Sequence, residues 1–135
     1  MVDSMKKVST YSDVVNSFHS SFQDKVEIPD ALERVWFFKA VGKFSHEIDR
    51  LNFDEELYEF DTLLDRYVID TLGVMMHEFY KQRELSKVNK RVSIVTKDIS
   101  VDGSGNAKTA SKAELETIHE EVQSMLYKQT PTAYN

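Results

Sequence analysis

The chain reads as a mainly α protein, a small helical bundle of three to four helices with a projecting β-hairpin or extended strand-loop before the C-terminal helix. Three observations predict this class. Apolar residues recur at steps of three and four in separate stretches, which is the helical period. With 41% hydrophobic and 30% charged residues, four Gly and two Pro, the composition is that of a soluble, mainly helical chain rather than a disordered or fibrous one. Strand-like sequence is confined to one late segment, and 135 residues fit a single domain, 1–135.

The first element, 9–23, places Tyr11, Val14 or Val15, Phe18 and Phe22 on one helical face, with Ser9 or Thr10 as N-cap. It is rich in Ser and Asn, so its stability must come from packing those aromatics onto something else, another chain included. A second helix is predicted over 30–51: Pro29 marks its boundary and Asp30 with Glu33 forms a capping-box variant. Phe37, Val41, Phe44, Ile48 and Leu51 run down it, and Leu32, Val35, Trp36 and Phe38 widen the face. Gly42 inside this helix costs about 1 kcal/mol relative to alanine, which a close approach of another backbone would explain. The acidic connector "NFDEELYEFD" follows, whose Phe53, Leu57 and Phe60 can pin a helical turn to the core.

The longest helix is predicted over 61–90, with Leu64, Tyr67 or Val68, Thr71 or Leu72, Met75, Phe79 and Arg83 on one face. After it, "VSIVTKDISV" is rich in β-branched residues: Val92 and Ile94 alternate, then Ile99 and Val101 in the opposite parity, implying a bulge or turn near 96–98. An extended arm and Gly loop over 91–110 has no strand partner in the rest of the chain. Its expected mates are neighbouring subunits, with Val92, Ile94, Val95, Ile99 and Val101 as interface residues. "DGSGNAKTASK" reverses the chain through turn dipeptides. Ser111 and Glu114 then form a capping box opening a helix over 111–128, with Leu115, Ile118, Val122 and Met125 as its stripe and 129–135 as a tail.

The net charge of −6 is segregated. Residues 1–80 carry eight Lys/Arg against sixteen Asp/Glu, 81–112 eight against three, and 113–135 one against four. A basic segment on an acidic body points to electrostatic matching, between subunits, with an acidic partner or with passing nucleic acid, or simply to a solvated helix end. Arg83, Lys87, Lys90, Arg91, Lys97 and Lys108 are the candidate partner- or lumen-facing cations.

No complete catalytic or metal motif is found, so no enzyme, no cofactor and no metal site is expected. The Gly loop fails as a phosphate cradle, because Ala107 precedes Lys108 and Asp102 stands where the first glycine belongs. The pairs His46-Glu47, His77-Glu78 and His119-Glu120 lack a histidine four residues on, where Arg50, Lys81 and Gln123 stand. Glu116 and His119 form one E-x-x-H, where a di-iron bundle needs two. Asp98, Ser100, Asp102 and Gly103 imitate half a calcium loop, but its twelfth position is Thr109. The absence of cysteine excludes disulfides and thiolate sites, and no apolar run approaches the roughly 20 residues of a membrane span. The chain therefore reads as cytosolic by default, with no membrane partner.

The segments "LLDRYVIDTLGVMMHEFYKQRELSKVNKRV", "RVSIVTKDISVDGSGNAK" and "ASKAELETIHEEVQSML" together resemble the head-tail connector, or neck, proteins of tailed bacteriophages. The similarity is one of element order over most of 30–128 and involves no diagnostic motif. It implies a structural virion protein assembled in the host cytoplasm as a homo-oligomeric ring of about twelve copies. Such a ring binds the portal and a downstream tail or neck protein, with DNA only as passing cargo. A second reading from a different class is a small helical module that binds nucleic acid or a protein through 81–112.

Overall fold

The computed structural model describes residues 7–22, 26–98 and 102–130, and the side chains within them except those of 89–98 and 102–108. Four helices and one two-stranded hairpin follow in order: α1 (Tyr11–Ser20), α2 (Asp30–Glu47), β1 (Phe53–Asp54), β2 (Glu59–Phe60), α3 (Arg66–Asp98) and α4 (Asp102–Gln129). The fold is thus the predicted small helical bundle with a β-hairpin, although the hairpin stands elsewhere in the chain.

α1 opens on a full capping box. The Thr10 N–H donates to Asp13 Oδ2 at 2.8 Å and the Asp13 N–H to Thr10 Oγ1 at 3.3 Å, satisfying two donors at the helix start. Val14 and Phe18 are wholly buried, so the aromatic stripe finds its partners within the chain. α2 starts without the expected box. Pro29 occupies the cap position, its carbonyl accepts the N–H groups of Leu32 and Glu33, and the Glu33 carboxylate is instead buried against α1. The helix stops at Glu47 rather than 51, because the chain folds back at Ile48 and the Leu51 N–H donates to Ser45 Oγ at 3.0 Å. Trp36, Phe37, Ala40, Val41 and Phe44 are its buried face.

The acidic connector forms the hairpin, not a helical turn. Phe53 pairs with Phe60 and Asp54 with Glu59, and the turn is closed by Asp54 Oδ1, which accepts the N–H groups of Glu56 and Leu57. Tyr58 takes a φ of 54°, the left-handed conformation that the reversal requires. Phe53 and Phe60 share one face and meet the Phe37 ring at 4.8 and 6.0 Å, while Leu57 points to solvent. The segment before α1 lies along this hairpin: Ser9 N–H donates to Thr62 O, Phe60 N–H to Ser9 O, and Tyr11 N–H to Tyr58 O.

α3 begins at Arg66 rather than 61, with the Asp65 carboxylate accepting the Tyr67 N–H at 3.0 Å. It is covered on two sides. Asp70, Gly73, His77 and Tyr80, at steps of three and four, meet α1 and its exit through Ser17, Ser21 and Phe22. Thr71, Glu78 and Lys81 meet α4 through Gln129, His119 and Glu114, a pairing order that makes the two helices antiparallel. The close approach expected at Gly42 is absent, with nothing within 4 Å of the Cβ it lacks. It occurs at Gly73, where a Cβ would stand 2.7 Å from Ser17 Oγ and 3.0 Å from the Phe18 nitrogen.

The predicted extended arm is corrected by the same helix. α3 runs unbroken through Val92, Ile94 and Val95 to Asp98, and α4 already starts at Asp102, taking up most of the predicted Gly loop and the Ser111 capping box. β-branched residues disfavour helix by only about 0.5 kcal/mol each. A helix also satisfies its own backbone groups, whereas a strand here would have none to pair with. Ile99 and Val101 lie outside the described residues. The stripe of α4 is as read, with Val122 buried and Leu115, Ile118 and Met125 half-buried, and Leu126 joins it.

Candidate functional site

The candidate cations sit on the distal part of the α3–α4 pair. Arg83 is half-buried on α3, and Lys87 lies 3.2 Å from the Glu84 carboxylate one helical turn away, its side chain half exposed. Lys90, Arg91 and Lys97 follow on the α3 backbone and Lys108 on α4; these four side chains lie outside the described ones. The proposed interface residues Val92, Ile94 and Val95 ride the same helix, again without described side chains. Most of the sites named from sequence therefore share one helical stem. At its base Lys81 of α3 meets Glu114 of α4 at 2.9 Å.

Below that base lies a cleft of about 610 Å³ lined by Ser21, Phe22, His77, Lys81, Glu114 and Ile118, among others. Ser21 Oγ stands 2.6 Å from His77 Nδ1, the distance of a nucleophile and its base. The proton arrangement argues otherwise. The Ser21 hydroxyl donates to the Phe18 carbonyl, so Ser21 Oγ accepts the Nδ1–H of His77 and the imidazole has no lone pair aimed at it. Its Nε2 is buried without a partner. Burial, and then the Lys81 charge, lower the His77 pKa to about 4, so the ring is neutral across the physiological range. Phe22 stacks on it at 4.6 Å.

The other histidines of interest are ties between helices. His119 Nδ1 lies 2.6 Å from the buried Glu78 carboxylate, joining α4 to α3, and His19 Nε2 lies 3.2 Å from both oxygens of buried Glu33, joining α1 to α2. Among the described residues no group of three or more His, Asp or Glu could hold a metal ion. Burial, and then the Glu33 charge, push the Tyr11 hydroxyl to about 12, and burial with the Glu84 charge also raises Tyr80. Both phenols belong to the packed aromatic core. Among the described residues no helix is long and apolar enough to cross a membrane.

A surface that the sequence reading missed lies on the other end of the molecule. Val35, Phe38, Leu57 and Tyr58 are exposed apolar or aromatic side chains on α2 and the hairpin, linked through Phe53, whose ring is 5.8 Å from both Phe38 and Tyr58. The wide apolar face of α2 through Val35 and Phe38 is its local signal, but helical period alone does not say which of two flanks the rest of the chain will cover. Compared with known proteins, the chain matches no family model, no curated protein and no solved structure.

Proposed function

We propose that the chain is a structural virion protein, a head-tail connector subunit that forms a ring under the portal, extends the DNA channel and joins the capsid vertex to the tail. The observation that carries the reading is the α3–α4 stem. Ring contacts from α1 and α2 reach α3 as far as Tyr80, yet α3 continues to Asp98, about 25 Å beyond Lys81 by helical rise. That length carries six Lys/Arg against two Asp/Glu, the larger part of the basic excess over 81–112. A small body that sends a charged helical pair past its own core is suited to meeting neighbours in an assembly. Of the element order that resembles connector proteins, the long α3 and the returning α4 remain, while the strand-and-loop element between them is helical. Contact between copies then rests on helical surfaces and charge rather than on strand addition.

The test is mass measurement by multi-angle light scattering, with the chain alone and with the portal ring of the same virus. The expected result is a complex of portal with many copies of this chain; a monomer indifferent to the portal overturns the reading. The basic stem also favours a second reading, a module holding nucleic acid through 81–112. That reading requires DNA or RNA affinity that falls steeply with salt, by about one power of salt concentration per phosphate neutralised.

A further inference from the structure

The two charged regions of this chain cannot neutralise one another within a single copy. Residues 49–65, spanning the hairpin and the approach to α3, hold seven Asp/Glu against Arg50 alone. Asp49, Asp54, Glu55, Glu56, Asp61 and Asp65 are exposed, and none forms an ion pair among the described residues. This acidic face adjoins the N-terminal end of α3, whereas the cations cluster toward its other end. From Arg66 to Lys87 the helix alone rises about 32 Å, several times the roughly 8 Å over which exposed charges act at physiological salt.

Beside the acidic face lies the uncovered apolar surface of Val35, Phe38, Leu57 and Tyr58, and Gly42 leaves open space one turn further along α2. Leu57, at the hairpin tip between Glu56 and Tyr58, is 65% exposed. An apolar centre edged on the hairpin side by carboxylates without ion pairs, with Arg34 and Lys39 on its α2 flank, suits a partner that brings a long basic surface to the hairpin. The distal α3–α4 stem has that charge and form, and only another molecule can bring it there.

We infer that the acidic hairpin face of one copy receives the basic α3–α4 stem of a second copy, head to tail. The two surfaces differ, so the contact is heterologous: each copy keeps a free stem and a free face, and repetition yields a closed ring or an open filament. The inference deepens the connector reading and rests on it only for the closure into a ring. Charge complementarity sets the register and excludes face-to-face and stem-to-stem pairings, which juxtapose like charges.

A charge swap tests it. One variant carries Asp49→Lys, Glu55→Lys, Glu56→Lys and Asp61→Lys, leaving five cations against three acids over 49–65; the other carries Lys87→Glu, Lys90→Glu and Arg91→Glu, leaving five cations against six acids over 81–112. Asp49, Glu55, Glu56, Asp61 and Lys87 are exposed, and circular dichroism verifies that each variant folds. In sedimentation equilibrium the unaltered chain self-associates with rising concentration, and each variant alone loses at least tenfold in association, because its face and its stem now share a sign. Mixed in equal amounts the two variants recover association, since every face again meets a stem of opposite charge. Variants that associate like the unaltered chain, a mixture that does not recover, or an unaltered chain that stays monomeric to its solubility limit would each overturn the inference. Association through these surfaces without portal binding removes the connector reading alone; portal-bound rings insensitive to the swap remove this inference alone.

Discussion

At the scale of the residue, His77 gives the sharpest pH signature. Its pKa is about 4 in the folded chain against 6.5 when exposed, so between those values the unfolded state binds more protons and stability rises with pH. Stability is full above about pH 6.5 and is lost as pH falls toward 4, by up to about 3 kcal/mol. Urea titrations from pH 4 to 8 should show this loss, and His77→Gln should flatten it relative to the unaltered chain. The two helical glycines make a second contrast. Gly73→Ala drives a methyl against Ser17 and the Phe18 backbone and should cost about 1–3 kcal/mol. Gly42→Ala meets open space and should stabilise by up to about 1 kcal/mol. Thermal melts that move in the same direction for both would contradict the packing of α1 on α3. Nothing local distinguishes these glycines in sequence, since both interrupt helical patterns. Only the helix that crosses them tells them apart.

Among the elements, short-range signals were readable where nothing longer overrode them, and misread where a longer helix or a distant partner did, as at the 102–106 turn dipeptides and the Ser111 capping box that α4 takes up. The α1 cap at Thr10 and the α4 stripe through Leu115, Ile118, Val122 and Met125 are of the first kind. Asp30 and Glu33 have capping-box spacing, but Glu33 is drawn to His19 of another helix. The two-residue strands β1 and β2 are too short for any alternation to register; what holds them is the Phe37 ring and the segment before α1. The run 92–98 misled because β-branched residues favour strands only where a sheet exists to receive them. Its helical state is checked by replacing Val92, Ile94 and Val95 with alanine. Alanine favours helix over each by up to about 0.7 kcal/mol, so helical circular dichroism and melting temperature should rise. A strand-forming arm would respond in the opposite direction.

For the whole molecule, one aromatic core holds the bundle, with Phe18, Phe37, Phe60, Leu72, Met75 and Met76 fully buried, and the inferred contact between copies makes the polarity along α3 testable. Head-to-tail contact between opposite charges should weaken as salt shortens the screening length from about 10 Å at 0.1 M to about 3 Å at 1 M. Sedimentation across that range should show dissociation, whereas an interface dominated by apolar burial should hold or tighten. The charge segregation behind this prediction was visible in sequence, but the placement of the two regions at opposite ends of one rod was not.

The docking of the first helix also bears on how the chain is made. Tyr11, Val14, Phe18 and Phe22 find covering partners on α2, the hairpin and α3, as late as Tyr80. During synthesis at about 5–20 residues per second, the aromatic face of α1 therefore waits roughly 3–12 s for that cover. The face of α1 thus emerges well before the elements that shelter it, and a nascent chain stalled before α3 would present that greasy face to chaperones.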